Sequence, residues 1–259
     1  MPPTLSAVSI IVPTFREAPN ITPLVERTFA TTTAAGIEAE MIIVDDDSSD
    51  GTEAVVETLA SRFPVRVVVR RGVRGLSGAV LRGFQEANHD RFVVLDADLQ
   101  HPPEMIPRFV EHLDDPACDF VIATRYGGTG AIAGDWPIGR RLASCLATIL
   151  ARPLVSLSDP MSGFFALRRG TWERAAELNP VGYKIALELL VKCGCKNVAE
   201  VPIEFASRTA GESKASLREG LRYANHLLRL YWFRRPGLVV AALIVTVVVA
   251  GATLAAFVP

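Results

Sequence analysis

Two carboxylates and an amide follow a short apolar segment near the middle of the chain. Residues 91–95 are mostly β-branched or aromatic, which is typical of a buried strand, and Asp96, Asp98 and Gln100 come directly after it. Ionised groups close to a protein core are costly unless something compensates their charge. A Mg²⁺ or Mn²⁺ ion bound to the diphosphate of a nucleotide sugar would compensate it, because hard oxygen ligands suit these ions. The alternative interpretation is an Asp-rich surface turn.

Strand-like and helical patterns alternate along the chain and would position these residues. Strands are predicted at 8–12, 41–45, 65–70, 91–95, 119–124, 163–168 and 198–203, with helices near 20–35, 52–62 and 76–88. This alternation favours an α/β fold with a mostly parallel sheet between helices. Ligands of such sheets bind at the carboxyl ends of the strands. Polar segments follow three predicted strands, at 13–17, 45–47 and 96–100, and we expect them at one edge of the sheet.

Composition excludes some classes of protein. A formal charge of -1 and a pI near 6.4 over 259 residues argue against a general nucleic-acid binder. The four cysteines form no disulfide framework, which favours a reducing compartment. Cys193 and Cys195 lack the two-residue spacer of common zinc sites and are interpreted as a small buried pair. We expect no signal peptide at the amino terminus.

The C-terminal segment is uniformly apolar. Residues 237–258 carry no charge and, at ~1.5 Å per residue in a helix, reach across a hydrocarbon layer of ~30 Å. Arginines precede the segment, and Tyr231 and Trp232 stand where an interfacial aromatic belt would lie. The pattern predicts a transmembrane helix with the preceding residues in the cytosol. A buried C-terminal helix of a soluble protein is the alternative.

An amphipathic helix is predicted just before this segment, at about residues 216–234. Leu217, Leu221 and Leu228 recur at helical spacing, with arginines between them. Such a helix can lie in the plane of lipid headgroups. Packing against the core of the preceding domain remains an equal alternative.

Several segments together carry a family resemblance. They are residues 12–17, 44–52, 96–103, 123–126, 162–168 and 208–214. In this order they resemble the inverting GT-A glycosyltransferases of family 2, and in particular the dolichol-phosphate mannosyltransferases (polyprenol monophosphomannose synthases). The resemblance covers roughly residues 8–235. One difference is Phe15, where the family usually has Tyr, so that one polar contact is lost while stacking on a base is retained.

The resemblance implies an activity and an organisation. A GT-A catalytic domain at 1–215 would be followed by a membrane-proximal helix at 216–235 and a transmembrane helix at 237–258. The enzyme would move mannose from GDP-mannose to dolichyl phosphate with Mg²⁺ or Mn²⁺, without accessory subunits. It would lie in the endoplasmic reticulum membrane facing the cytosol, or in the plasma membrane of a prokaryote. A glucosyltransferase using UDP-glucose and a non-catalytic nucleotide-sugar-binding membrane protein are the alternatives.

The resemblance also implies site residues. The nucleotide sugar would contact Pro13, Phe15, Glu17, Val44, Asp46, Asp96, Ala97, Asp98, Lys184, Arg208 and Lys214. Asp98 and Gln100 would bind the metal ion, and Arg125 and Arg140 the acceptor phosphate. The residues closest to the reaction would be Asp96, Asp98, Arg125, Arg208 and Lys214.

Two further features leave alternatives open. His101 precedes two prolines and is interpreted as a loop residue in preference to a metal ligand. Gly72, Gly75 and Gly78 recur every third residue at the start of a predicted helix. They indicate either a tight turn with close helix–sheet packing or a weak phosphate-binding loop, in which Arg74 would face the diphosphate.

Overall fold

The computed structural model describes residues 6–126, 131–132, 138–179, 184–205 and 217–241. The chain divides into two compact units, Met1–Lys214 and Ala215–Pro259. The strands are β1 (Ala7–Thr14), β2 (Glu38–Asp45), β3 (Val65–Val69), β4 (Arg91–Val94), β5 (Phe120–Thr124), β6 (Ala131–Ile132), β7 (Phe165–Arg168), β8 (Val198–Pro202) and β9 (Glu204–Phe205). The helices are α1 (Ala18–Ala34), α2 (Thr52–Leu59), α3 (Leu76–Glu86), α4 (Ile106–Asp114), α5 (Ile138–Ala151), α6 (Arg169–Glu173), α7 (Ile185–Lys192) and α8 (Leu217–Arg234).

The first unit is built on a mixed sheet of seven strands, in the order β3-β2-β1-β4-β7-β5-β8. All seven strands predicted from the sequence are present. Strand β7 runs antiparallel to both of its neighbours, and the other pairs are parallel. Because β7 is reversed, the residues that precede it lie at the same edge as the carboxyl ends of the other six strands. Strands β6 and β9 form a separate parallel pair.

The sheet separates two apolar clusters because side chains on successive strand residues point to opposite faces. In β1, Ile10 and Val12 pack with α1, α2 and α4, whereas Ile11 packs with α3 and α7. Both clusters are fully buried at these strand positions. The chain therefore has the α/β architecture that the alternation predicts, with helices on both faces.

Helix α3 lies very close to the central strand. A Cβ added to Gly83 would stand 2.3 Å from Cγ2 of Ile11. Glycine at 83 permits this approach, which packs the second half of α3 directly against the middle of β1.

A buried carboxylate joins several strands near their amino ends. Glu40 accepts hydrogen bonds from Ser9 Oγ (2.5 Å), Arg66 Nη1 (2.5 Å) and the backbone N–H of Asn88 (2.6 Å). Burial alone would raise the pKa of Glu40, but these donors lower it to about 2. The ionised side chain thereby ties β1, β2, β3 and the α3–β4 connection together.

The helix predicted at about 216–234 is present, the buried cysteine pair is found in part because Cys195 is only half-buried, and the predicted membrane span is not tested. All four cysteines are free thiols, and Cys193 is buried. Helix α8 covers the segment expected to be helical. In the described part of the chain, no helix combines the length and the apolarity needed to cross a bilayer. Residues 242–258 of the predicted span lie outside the described residues.

Candidate active site

Backbone strain is concentrated at the carboxyl edge of the sheet. Within the described residues, the non-glycine residues with positive φ are Arg16 (62°), Asp47 (57°), Ser49 (52°) and Leu99 (60°). All four lie in the loops that follow β1, β2 and β4. A left-handed backbone at a residue with a side chain is costly and tends to occur at functional sites. The strain therefore points to the same edge as the polar motifs.

The loops after β1 and β2 are held to each other by Asp45. Its carboxylate accepts hydrogen bonds from Thr14 Oγ1 (3.1 Å) and from the backbone N–H of Ser48 (2.9 Å). Ser48 Oγ in turn accepts from the backbone N–H of Arg16 (2.8 Å). Both oxygens of Asp45 are engaged, so this carboxylate organises the edge of the sheet.

Asp46, the next residue, holds the loop that leads into α3. It is buried and accepts from Arg70 Nη1 (2.9 Å) and from the backbone N–H of Gly75 (2.6 Å). Burial raises the pKa of Asp46, while the Gly75 amide and the Arg70 charge act in the opposite direction. Asp46 thus lies at the expected edge, with both oxygens already hydrogen-bonded to the protein.

The same loop shows the packing role of two glycines in the glycine-rich segment. Gly75 has φ 137°, and its amide faces Asp46. A Cβ on Gly78 would stand 2.7 Å from Arg70 Nη2. These two glycines therefore serve a tight turn and make room for Arg70, as the packing interpretation predicts, whereas the phosphate-binding interpretation is not tested.

The corner beside Asp46 contains an aromatic ring that two arginines contact. The guanidinium carbon of Arg74 lies 4.5 Å from the centroid of the Phe15 ring, and that of Arg16 lies 5.3 Å away. Glu17 accepts a hydrogen bond from Asn20 Nδ2 (2.7 Å). Cationic and aromatic groups side by side suit a nucleotide, whose base is flat and whose diphosphate is anionic.

Two other residues expected at the nucleotide site are buried near the ends of β1 and β2. Pro13 of β1 stands opposite Val44 of β2 in the parallel register. Pro13 is buried, and the side chain of Val44 packs in the apolar cluster with α3. Both are core residues that directly precede the polar residues of the two loops.

The segment 96–101 after β4 forms a closed loop. The backbone N–H of Asp96 donates to His101 Nδ1 (3.2 Å), and the backbone N–H of Gln100 donates to Asp98 Oδ1 (3.2 Å). Ala97, Asp98, Gln100 and His101 are buried, whereas 35% of the Asp96 side chain is exposed. Burial lowers the pKa of His101 to about 4, although the Asp98 carboxylate acts in the opposite direction. His101 lies in a loop, as predicted, and it is neutral and buried there.

The donor set of this loop fits a hard divalent cation. Asp98 and Gln100 supply carboxylate and amide oxygens, and Asp96 adds a carboxylate close by. Among the described residues, no group of three or more His, Cys, Asp or Glu side chains is placed to hold a metal ion by itself. Mg²⁺ and Mn²⁺ suit such an incomplete set, because they commonly complete their coordination with water and substrate phosphates.

The reversed strand β7 brings a second motif against Asp96. A Cβ added to Gly163 would stand 3.0 Å from Asp96 Oδ2 and 3.3 Å from His101 Cε1. Phe164, the next residue, stacks on Phe109 of α4 with the ring centroids 4.3 Å apart. Glycine at 163 therefore lets the β7 segment pass directly behind Asp96.

Arg125, at the end of β5, is paired with a carboxylate that the sequence analysis missed. Asp159 is completely buried and accepts from Arg125 Nε (2.6 Å) and Nη2 (2.8 Å). Burial alone would lower the pKa of Arg125, but the hydrogen bonds and charge of Asp159 raise it. The only sequence signal for this carboxylate was its position, three residues before the 162–168 motif.

The segment that carries Asp159 is also hydrogen-bonded to β8. Glu200 accepts hydrogen bonds from the backbone N–H (2.9 Å) and the hydroxyl of Ser158. Lys184, which precedes α7, donates from Nζ to the carbonyl oxygen of Met161 (3.3 Å). Two of the predicted basic residues, Arg125 and Lys184, thus each donate hydrogen bonds to the segment 158–163.

The remaining basic residues cannot be placed. Arg140 belongs to α5, but its side chain is outside the described part of the structure. Arg208 and Lys214 lie outside the described residues. Their roles stay predictions.

Comparison with known proteins agrees with this arrangement. Residues 9–174 match the model of the family "Glycosyl transferase family 2". Among solved structures, glucosyl-3-phosphoglycerate synthase from Mycobacterium tuberculosis, in complex with Mn²⁺, UDP and glucosyl-3-phosphoglycerate, superposes with a TM-score of 0.64 at 20% identity, over 88% of this chain and 80% of that one. At this identity the likeness shows that the two chains share a fold.

Two curated relatives give a finer classification. Dolichol-phosphate mannosyltransferase from Mycosarcoma maydis is 46% identical over 87% of this chain and 79% of its own length. Dolichol-phosphate mannosyltransferase from Saccharomyces cerevisiae is 45% identical over 87% of both chains. The chain belongs to glycosyl transferase family 2 and, within it, to the dolichol-phosphate mannosyltransferases.

Proposed function

We propose that this protein transfers mannose from GDP-mannose to dolichyl phosphate, or to a related polyprenyl phosphate, with inversion at the anomeric carbon. The observation that carries the proposal is the 45–46% identity to two dolichol-phosphate mannosyltransferases. That identity extends over 87% of the chain, far beyond the loops of the site.

The donor is bound at the ends of β1, β2 and β4. The base lies at the corner formed by Phe15, Arg74 and Asp46. The loop 96–101 faces the diphosphate, and Asp98 and Gln100 hold Mg²⁺ or Mn²⁺. When bound, the ion offsets the negative charge that develops on the leaving diphosphate.

The acceptor needs positive charge more than it needs a base. A phosphate monoester has a second pKa near ~6 and is largely ionised at neutral pH, so its oxygen is already a nucleophile. Arg125 is charged across this range, as arginines in proteins are, and Asp159 raises its pKa. Asp159 is fully buried with both oxygens bonded to Arg125, an arrangement that favours orienting the arginine over accepting a proton. Arginine suits the acceptor through bidentate contacts with phosphate oxygens.

Contact with a lipid surface is supported by exposed apolar side chains. Leu146, Ile149 and Leu150 on α5 are 58%, 52% and 46% exposed. They stand at helical spacing and form one stripe. On α8, Leu221 and Leu228 are 66% and 60% exposed. Exposed leucines beside arginines suit a helix in the headgroup plane, and a span at 237–258 would anchor it. We place the enzyme on the cytosolic face of the endoplasmic reticulum membrane, or of the plasma membrane in a prokaryote.

A donor-selection assay tests the proposed reaction. Purified protein in detergent would receive dolichyl phosphate with labelled GDP-mannose or labelled UDP-glucose, each with Mn²⁺, with Mg²⁺ or with a chelator. We expect metal-dependent labelling of the lipid from GDP-mannose and little from UDP-glucose. Preference for UDP-glucose would overturn the mannose assignment. Binding of nucleotide sugar without transfer from either donor would overturn the enzyme assignment.

The membrane proposal has a separate test. A chain truncated after Arg235 keeps every described residue of the proposed site. It should still transfer mannose to a short-chain acceptor in detergent and lose efficient use of acceptor embedded in vesicles, because the anchor no longer concentrates the enzyme on the lipid. Equal use of vesicle-embedded acceptor by both chains would contradict the anchor.

A further inference from the structure

The loop after β4 is closed by a side chain that the proposed reaction does not use. His101 stands at the far end of the loop, and only 3% of its side chain is exposed. Its Nδ1 accepts the backbone N–H of Asp96 at 3.2 Å, so the first and last residues of the loop are joined. Asp98 and Gln100 lie between these two ends.

The geometry selects one form of the imidazole. A nitrogen that accepts a hydrogen bond from an amide N–H carries no proton. His101 is therefore neutral, with its proton on Nε2. The ring is also held from the sides: its centroid lies 5.5 Å from that of Phe164 and 5.4 Å from that of Phe205. A Cβ at Gly163 would stand 3.3 Å from Cε1, so the ring is packed on that side as well.

The loop between the two ends is strained. Leu99 has φ 60°, which a residue with a side chain rarely adopts. One hydrogen bond within the loop, from the Gln100 amide to Asp98 Oδ1, fixes the turn itself. The hydrogen bond from Asp96 to His101 fixes the two ends of the turn. It thereby fixes the backbone positions of Asp98 and Gln100.

We propose that His101 is a positioning residue for the metal site. Its Nδ1 closes the loop 96–101 and holds Asp98 and Gln100 in the arrangement that binds Mg²⁺ or Mn²⁺. The proposal rests on the proposed metal-dependent transfer. Groups that orient metal ligands in this way typically contribute about 10- to 100-fold to metal affinity.

Three variants separate the hydrogen bond from the packing. In His101→Asn, Oδ1 replaces Nδ1 as acceptor while the ring contacts are lost. His101→Phe keeps an aromatic ring between Phe164 and Phe205 but has no acceptor. His101→Gln is as polar as the Asn variant, yet its acceptor reaches the position of Nε2 and not that of Nδ1. Only the Asn variant keeps the bond to Asp96.

The experiment is a titration of the full-length protein in detergent with Mn²⁺, in the presence of saturating GDP. Free Mn²⁺ is followed by electron paramagnetic resonance, and thermal unfolding of each variant is measured without metal. We expect His101→Phe and His101→Gln to weaken Mn²⁺ binding by about 10-fold or more and His101→Asn by less than about 3-fold. The order of the metal affinities should not follow the order of the melting temperatures.

Each result decides the proposal. Wild-type Mn²⁺ affinity in the Phe and Gln variants would overturn the role of His101 and leave the metal site intact. Equal weakening in all three variants, in step with their melting temperatures, would make His101 a packing residue only. If the Phe variant does not fold, the comparison of Gln with Asn carries the same decision. A wild-type protein that binds no Mn²⁺ would overturn this proposal and the proposed metal dependence. Transfer from UDP-glucose in the donor-selection assay would overturn only the identification of GDP-mannose as the donor.

Discussion

Arg125 and Asp159 form a two-pronged ion pair in the interior of the site. The guanidinium donates from Nε at 2.6 Å and from Nη2 at 2.8 Å, and the carboxylate is completely buried. The two residues lie 34 positions apart in the chain and join the end of β5 to the segment before β7. The pair fixes the direction of the one described arginine that is proposed to face the acceptor phosphate.

Asp159→Asn should lower both stability and turnover. It leaves a mostly buried guanidinium without its counter-charge, and breaking a buried pair from one side costs about 3–5 kcal/mol. Thermal unfolding and steady-state kinetics in dolichyl phosphate measure the two effects. The double variant Arg125→Gln with Asp159→Asn should regain much of the lost stability but not the activity. Recovery of both would reduce the pair to a structural role.

Asp98→Asn should abolish turnover and leave the fold intact. Loss of a metal-binding carboxylate at the leaving diphosphate removes several kcal/mol of transition-state stabilisation. Asp90→Asn is the matched control, because Asp90 precedes the same strand at the opposite edge of the sheet and its side chain is 90% exposed. Turnover is compared over a range of Mn²⁺ concentrations. Near-normal activity of the Asp98 variant at saturating Mn²⁺ would remove Asp98 from the metal site.

Gly163→Ala should reduce turnover with little loss of stability. The added methyl would stand 3.0 Å from Asp96 Oδ2, so the carboxylate must shift by a few tenths of an ångström. Gly170→Ala is the control, because a Cβ there has no atom within 4 Å. Turnover should fall by about 10-fold or more in the first variant only, as expected when a group near the reaction is displaced. Equal turnover of the two variants would show that Asp96 tolerates displacement.

Glu40→Gln should destabilise the protein at neutral pH and weaken its sensitivity to acid. The pKa of Glu40 is about 2 in the folded state against an ordinary value of 4.5. Because the folded pKa is the lower one, the stabilisation is complete above pH 4.5 and is lost as the pH falls towards 2. The expected loss at pH 7 is on the order of 3 kcal/mol.

Denaturant unfolding between pH 7 and pH 3 measures this difference, with Glu104→Gln as the control. Glu104 and its partner Arg27 are 50% and 42% exposed, so solvent screens their pair, which contributes less than about 1 kcal/mol. A Glu40 variant as stable as the wild type at pH 7 would mean that the hydrogen bonds to Glu40 only offset its burial.

The sequence predicts most of the sheet because β-branched segments such as those of β1 and β2 are apolar on both faces. It also predicts the edge where Asp46 and Asp98 lie, since parallel strands end together. The antiparallel direction of β7 cannot be predicted from the pattern of apolar residues. The segment 163–168 resembles any other strand, and its direction follows from pairing with both β4 and β5.

Long-range pairing explains the main omission in the site. Asp159 reads locally as a turn residue before Pro160, and only the fold brings it to Arg125. His101 was correctly expected in a loop, but its burial depends on Phe164, just before β7, and on Phe205 of β9, both distant in sequence. The roles of Arg208 and Lys214 stay predictions from the resemblance.

The most direct test of the account is the anomeric configuration of the product. Full-length protein would be incubated with GDP-mannose, dolichyl phosphate and Mn²⁺, and the mannosyl lipid examined by nuclear magnetic resonance. Direct attack by the acceptor phosphate, without a covalent enzyme intermediate, predicts a β-linked mannosyl phosphate from the α-linked donor. An α-linked product, or no mannosyl lipid at all, would contradict the account.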